Sequence, residues 1–231
     1  MPISILLMAQ EATKGLKSFG PKILLNITPH KKIIDYHISN FIGLQKSANI
    51  VTSIGFDSEK IVKYLSTITK NKKQINNTIL CQNYSIYNDG YVLSRYLAKY
   101  PDTKGLLIVP AGVLFKSNAI NKNHISKQST IFLLNKYNSN FETGCSIQDE
   151  EIKYVFFNLE HCWTECVYLN QQCINELKNI IATKNIDNKF LFEIVNLLIE
   201  RNVKFVYETI NYKKFIKINN AKETTKARSY S

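Results

Sequence analysis

Arginine is nearly missing from this chain: only Arg95, Arg201 and Arg228 stand among its 30 basic residues. The formal charge of +12 is therefore carried almost wholly by lysine, without an arginine stripe of the kind that grips nucleic-acid phosphates through planar forks. Lysine, asparagine and isoleucine share AT-rich codons, so part of the charge reflects base composition. The one dense lysine group, Lys70, Lys72 and Lys73, is expected to be a solvated loop. Long apolar runs are missing too. Leu106 to Val109 falls far short of the roughly 20 residues that a membrane-spanning helix needs. The apolar patch near the start has no basic segment before it and no small-residue cleavage site after it, which is not the pattern of a secretory signal. The five cysteines, Cys81, Cys145, Cys162, Cys166 and Cys173, form no C-x-x-C pair. That argues against a disulfide framework or disulfide partner, and the spacing around His161-Cys162, Cys166 and Cys173 matches no zinc pattern. The expected setting is the cytoplasm or another reducing intracellular compartment.

What is present is an apolar content of 45% in 231 residues, enough for one domain with a substantial core. Continuous apolar runs alternate with segments of helical period, the pattern of a mostly parallel sheet covered by helices on both faces. The strand expectations are Ile3 to Met8, Asn49 to Ile54, Thr78 to Gln82, Gly105 to Pro110, Thr130 to Leu134 and Tyr154 to Asn158. Helices are expected over Lys32 to Leu44, after Asp57 or Ser58 with Ile61, Val62, Leu65 and Ile68 facing the sheet, from Asn88-Asp89, over Gln171 to Thr183, and over Asp187 to Asn202. His37, on the apolar face of the first helix, fits a core-edge histidine. Val203 to Thr209 and Lys213 to Ile218 are expected to be extended, with a polar tail or short helix after them. The domain expectation is 1–220 as one α/β domain and 221–231 as that tail.

Eight glycines are few, and the first loop shows where they are missing. Ala9-Gln10-Glu11-Ala12-Thr13-Lys14 follows the first strand, and Pro21-Lys22-Ile23-Leu24-Leu25-Asn26-Ile27 follows the loop. These segments resemble the A-G-x-G-x-R loop and P-K-x-L-x-x-(V/I) motif of the nucleotidyltransferase superfamily, whose members join a nucleoside triphosphate to a sugar phosphate or phosphocholine. The likeness extends through Lys31 to Ile38, Ile50 to Leu65, Asn83-Tyr84, Asn88 to Leu93 and Phe215 to Glu223, and so spans nearly the whole chain. It implies a Rossmann-like three-layer sandwich of the glycosyltransferase-A type with a mixed, mostly parallel sheet.

The resemblance also assigns roles. Lys14 and Lys22 take the places of the catalytic basic pair, and Ala9, Gln10, Ala12, Thr13 and Asn88 take nucleotide-binding places. Glycines in that loop let backbone N–H groups approach phosphate, so Gln10 and Ala12 are expected to obstruct the cradle. The family's two magnesium-binding aspartates correspond to Gly112, in Ala111-Gly112-Val113-Leu114-Phe115, and to Asn219, in Ile218-Asn219-Asn220. With both carboxylates gone, the favoured expectation is a catalytically degenerate binding or assembly subunit, with Mg²⁺ as cofactor only if the chain is active and no metal otherwise. The rivals are an active enzyme moving a nucleotidyl group from CTP or another triphosphate onto a sugar phosphate or phosphocholine, and a basic protein associated with nucleic acid or a nucleoprotein assembly. Expected partners are a nucleoside triphosphate and a protein or nucleoprotein complex, with no membrane.

Overall fold

The computed structural model describes residues 3–12, 15–45, 47–68, 77–116, 118–125, 128–136 and 142–227. Thr13, Lys14, the Lys70 to Lys73 group and Arg228 lie outside the described residues. The chain opens with β1 (Ser4–Ala9), passes through a loop into a small hairpin of β2 (Asn26–Thr28) and β3 (Lys31–Lys32), and enters α1 (Ile33–Leu44). Then come β4 (Asn49–Ile54), α2 (Ser58–Ile68), β5 (Asn77–Leu80), α3 (Asp89–Lys99), β6 (Leu106–Pro110) and β7 (Val113–Phe115). The second half runs through β8 (Ser129–Leu134), β9 (Thr143–Gln148), β10 (Glu151–Phe157), β11 (His161–Leu169), α4 (Gln171–Thr183), α5 (Leu191–Glu200), β12 (Phe205–Ile210), β13 (Phe215–Lys217) and α6 (Ala221–Ala227).

Strands β5, β4, β1 and β6 lie side by side in parallel. Beyond β6 the sheet turns antiparallel through β11, which also pairs with β8 and β9, and β12 closes the far side parallel to β8. Alternation along β1 explains the layers. Ile5, Leu7 and Ala9 join a core with Ile33, Phe41, Ile61 and Leu65 of α1 and α2, whereas Leu6 and Met8 join another with Leu93, Leu177 and Leu198 of α3, α4 and α5. A strand covered on both faces needs no polar alternation, which is why its sequence is a continuous apolar run. The expected α/β sandwich with a mostly parallel mixed sheet is therefore the one formed.

Several details differ from expectation. No expected strand covers β9 or β11, yet β11 joins the two halves of the sheet. It escapes a period-two reading because Thr164 and Glu165 break it. Glu165 takes a left-handed φ of 64°, and the pairing with β8 shifts register between Trp163 and Val167. On α2 only Ile61 and Leu65 are buried, while Val62 and Ile68 face solvent, because the helix meets the sheet along a single column of residues. The helix expected from Asp187 starts at Leu191. Before it, the carbonyls of Asp187 and Lys189 accept the backbone N–H groups of Asn88 and Gly90, which ties this segment to the start of α3. All five cysteines are buried and free. Burial raises the Cys81 thiol to about 11 and that of Cys173 to about 12, so both stay protonated and unreactive at neutral pH.

Strand β10 is held by an unusual partner. The Asn196 side chain of α5 accepts from the Val155 N–H at 2.9 Å and donates to the Val155 carbonyl at 2.8 Å, acting as a one-residue strand neighbour. Asn196→Leu keeps the volume but leaves both backbone groups without partners. It is expected to lower unfolding free energy by about 2–3 kcal/mol, measured by urea denaturation.

Candidate functional site

The carboxyl ends of adjacent parallel strands β1 and β6 open onto the edge of the sheet where α/β folds bind ligands. From β1 come Met8 to Glu11, and from the turn after β6 come Pro110 to Val113. The Ala111 N–H donates to the Met8 carbonyl at 2.9 Å, which ties the two strand ends together. Opposite them, β7 pairs antiparallel with β13, and the Ile218 N–H donates to the Gly112 carbonyl at 2.8 Å. That pairing sets Ile218 against Gly112 and brings the next residue, Asn219, to the same cavity. Lys22 and Lys217 add two cations, and Asp89, Glu165, Phe157, Trp163, Phe190 and Phe192 complete the wall of a cavity of about 370 Å³.

Lys22 follows Pro21, whose fixed φ suits the start of a short 3-10 turn over Lys22–Leu24. Its neighbour Ile23 is buried in the core and anchors the turn, which sends the half-buried Lys22 side chain across to Gly112. A Cβ at position 112 would meet Lys22 Cδ at 3.0 Å and Nζ at 3.1 Å. Burial holds the ammonium below the ordinary lysine value. The charge of Glu11 opposes this, and that of Lys217 adds to it.

The acids are less free than their number suggests. Glu165 Oε1 lies 2.6 Å from Lys217 Nζ in a well-covered ion pair between β11 and β13. Asp89 Oδ2 accepts the Leu191 N–H at 2.8 Å. Burial raises its carboxyl to about 7, with the charge of Glu11 adding to the rise and the Leu191 hydrogen bond opposing it. Glu223 turns back into the start of α6 and accepts the N–H groups of Asn219 and Asn220. At the cavity mouth Phe157 and Phe190 are exposed on either side of Phe192, which stacks on Phe190 at 6.0 Å and meets Phe157 edge-on at 5.1 Å. The rim is an aromatic surface onto which a flat ring could pack.

Beneath the turn sits His37, fully buried between Phe41 and Phe115. Its Nε2 lies 3.1 Å from the Ala111 carbonyl oxygen, which makes Nε2 the protonated nitrogen, and its Nδ1 has no partner among the described residues. A second proton would be buried on Nδ1 without an acceptor, so burial lowers the imidazole to about 4. The residue is a neutral prop for the Ala111-Gly112 turn, in keeping with a core-edge histidine.

Of the residues singled out in sequence, the cavity brings together Ala9, Gln10, Lys22, Gly112 and Asn219. Lys14 and Thr13 fall outside the described residues. Ala12 and Asn88 do not line the cavity. The side-chain amide of Asn88 donates to the Asn188 carbonyl at 2.8 Å, and its neighbour Asp89 reaches the site instead. Gln10 lines the cavity where an obstruction was expected. Its side chain is buried, with Oε1 accepting from the Ser53 hydroxyl at 2.7 Å. Sequence reading missed Glu165, Lys217 and the phenylalanines. Their only signals were a carboxylate inside an apolar run and a lysine within the closing motif.

No protein-family model and no curated protein sequence matches the chain. Solved structures do. The CTP:phosphocholine cytidylyltransferase of Streptococcus pneumoniae superposes with a TM-score of 0.77 over 99% of this chain and 99% of its own, at 13% identity. The fold is that of the nucleotidylyltransferases. A nucleoside-diphosphate-sugar pyrophosphorylase from Vibrio cholerae RC9 matches with a TM-score of 0.72 over 98% and 100% of the two chains, at 12% identity. The inositol-1-phosphate CTP transferase of T. maritima gives 0.74 over 99% and 96%, at 11% identity. Within this nucleotidylyltransferase fold the residues present do not fit the magnesium ion that the family resemblance implies. Gly112 and Asn219, the positions that the resemblance assigns to the metal-binding carboxylates, both line the cavity and carry none, and no cluster of three metal-binding side chains occurs among the described residues.

Proposed function

We propose that this chain is a nucleotide-binding protein on a nucleotidylyltransferase frame whose metal-assisted transfer chemistry has been retired, and that it serves as a binding or assembly subunit. The observation that carries this reading is that Gly112, Asn219 and Lys22 line one cavity; on the family resemblance these are the phosphate lysine, kept, and the two metal carboxylates, lost. Lys22 would contact phosphate oxygens, Met8 to Glu11 and the Ala111-Gly112 turn would shape the floor, and the phenylalanine rim would offer a face to a base. Magnesium ordinarily supplies several kcal/mol of transition-state stabilisation in such transfers, so its loss removes most of the rate.

The neighbours supply the substrates to try. Purified protein with CTP or another triphosphate, Mg²⁺, and phosphocholine or a sugar phosphate is expected to release no pyrophosphate above background while binding the triphosphate. Lys22→Met is expected to weaken that binding by about tenfold or more, measured by calorimetry, as one charge-assisted contact is removed. Turnover that disappears in Lys22→Ala would overturn the retired-enzyme reading.

A further inference from the structure

We propose that the Lys22 ammonium is the cavity's built-in cation, standing over Gly112 where a metal-binding carboxylate would need to be, so that a phosphate anion binds here without a divalent metal. The inference rests on the nucleotide-binding reading and extends it to the site's cation requirement.

Three observations point the same way. The first is space. Gly112 does not adopt a left-handed φ, so the backbone does not require glycine there. What glycine provides is room, shared by the Ile218 carbonyl oxygen at 3.0 Å and by Lys22, whose Cδ and Nζ lie 3.0 and 3.1 Å from where a Cβ would be. A carboxylate at 112 would meet an ammonium before it met any ion.

The second is the lysine's own bonding. Among the described residues the Lys22 ammonium makes no hydrogen bond and no ion pair, although it is half-buried and held below its ordinary pKa by burial. A lysine ammonium has three N–H donors and no acceptor, so these donors remain for an anion entering the cavity. Phosphate oxygens suit them, because the lysine acts as a compact point charge and needs no fixed fork.

The third is the fate of the other carboxylates. Glu165 is held by Lys217, Glu223 caps the start of α6, and Asp89 is bonded to the Leu191 N–H with its carboxyl raised to about 7. That leaves Glu11, which is exposed on the loop, as a lone acid beside two lysines. A dication entering this wall would be repelled by Lys22 and would find no pair of carboxylates to replace its waters. The anion enters against the same charge that keeps the metal out.

The test is calorimetric titration of CTP and ATP into the intact chain, once in EDTA and once in excess Mg²⁺. The dissociation constant in EDTA is expected to lie within about threefold of the Mg²⁺ value or below it, with Lys22→Met weakening binding by about tenfold or more in EDTA and Lys22→Arg retaining most of it. Tightening by Mg²⁺ of about tenfold or more, or an unchanged affinity in Lys22→Met, would overturn the proposal. Binding in neither buffer would instead overturn the nucleotide reading. The cation question is then answered by electron paramagnetic resonance of Mn²⁺ added to the ligand-free chain. No uptake by the wild type or by Gly112→Asp supports Lys22 as the resident cation, with uptake expected only when Gly112→Asp and Asn219→Asp are combined with Lys22→Met. Uptake by Gly112→Asp with Lys22 in place would sink it. Thermal unfolding of each variant identifies any that fail to fold, and Lys22→Arg gives a second, milder comparison.

Discussion

Gly90→Ala is expected to destabilise the fold by about 3 kcal/mol or more, and Gly43→Ala to stabilise it by roughly 0.5–1 kcal/mol. Both glycines lie in helices, α3 and α1, and helix propensity alone would favour alanine at each. The difference is in what a methyl group would meet. At Gly43 nothing lies within 4 Å of the new Cβ. At Gly90 the methyl would overlap the Ile186 carbonyl oxygen, on the segment that crosses the start of α3. That segment cannot simply move away. The Gly90 N–H donates to Lys189 at 2.9 Å, the Asn88 N–H to Asp187 at 2.8 Å, and Leu191 is bonded to Asp89. Urea denaturation of the two variants beside the wild type measures both effects. Phe190 and Phe192 follow directly on that segment, so Gly90→Ala should also disturb the cavity rim. If Gly90→Ala matched the wild type in stability, the close approach of the two segments would be refuted.

The second large effect is a cancellation hidden in the pH dependence. His37 titrates near 4 in the fold against 6.5 unfolded, so between these values the unfolded chain binds the extra proton, and stability falls by about 3 kcal/mol as pH drops through that window. Asp89 titrates near 7 against 3.8, so the folded chain binds the extra proton, and stability falls by roughly 4 kcal/mol as pH rises from 3.8 to 7. The slopes oppose each other and nearly cancel, so the two groups together leave a shallow profile. Asp89→Asn, which keeps an oxygen to accept the Leu191 N–H, should unmask the histidine. It should be more stable than wild type at pH 8 by several kcal/mol, with the advantage gone near pH 4. His37→Gln should unmask the aspartate and lose stability as pH rises from 4 to 7. Denaturation midpoints of the three proteins across pH 4 to 8 decide the matter. Parallel curves would mean that neither group is held as its surroundings suggest.

Much of the parallel core was legible because a strand buried on both faces has one sequence form: β1, β4, β6 and β8 are short apolar runs, and the structure places them within a residue or two of expectation. The antiparallel extension was not legible. Strand β9 is Thr143-Gly144-Cys145-Ser146-Ile147-Gln148, mostly small or polar residues around a single isoleucine, too weak a pattern to mark a strand without its neighbours. Strand β11 hides behind the backbone turn at Glu165. The site divides in the same way. Pro21-Lys22 is a local motif and could be read, and Lys22, Gly112 and Asn219, each singled out from a local segment, do line one cavity. The partnerships of Lys217 with Glu165 and of Asp89 with Leu191 join residues far apart in sequence, and local pattern carries no trace of them.

The parallel pairing of β8 with β12 has a consequence for the order of events during synthesis. All six residues of β8 are buried in the finished sheet, yet the strand that covers one of its edges, Phe205–Ile210, leaves the ribosome only after β9, β10, β11, α4 and α5 have been made. Until then Ser129–Leu134 presents a row of unpaired backbone groups flanked by isoleucine, phenylalanine and leucine, a template that another nascent chain could extend. Non-local parallel pairs of this kind form slowly. The interval between translating β8 and docking β12 leaves that edge open to such pairing.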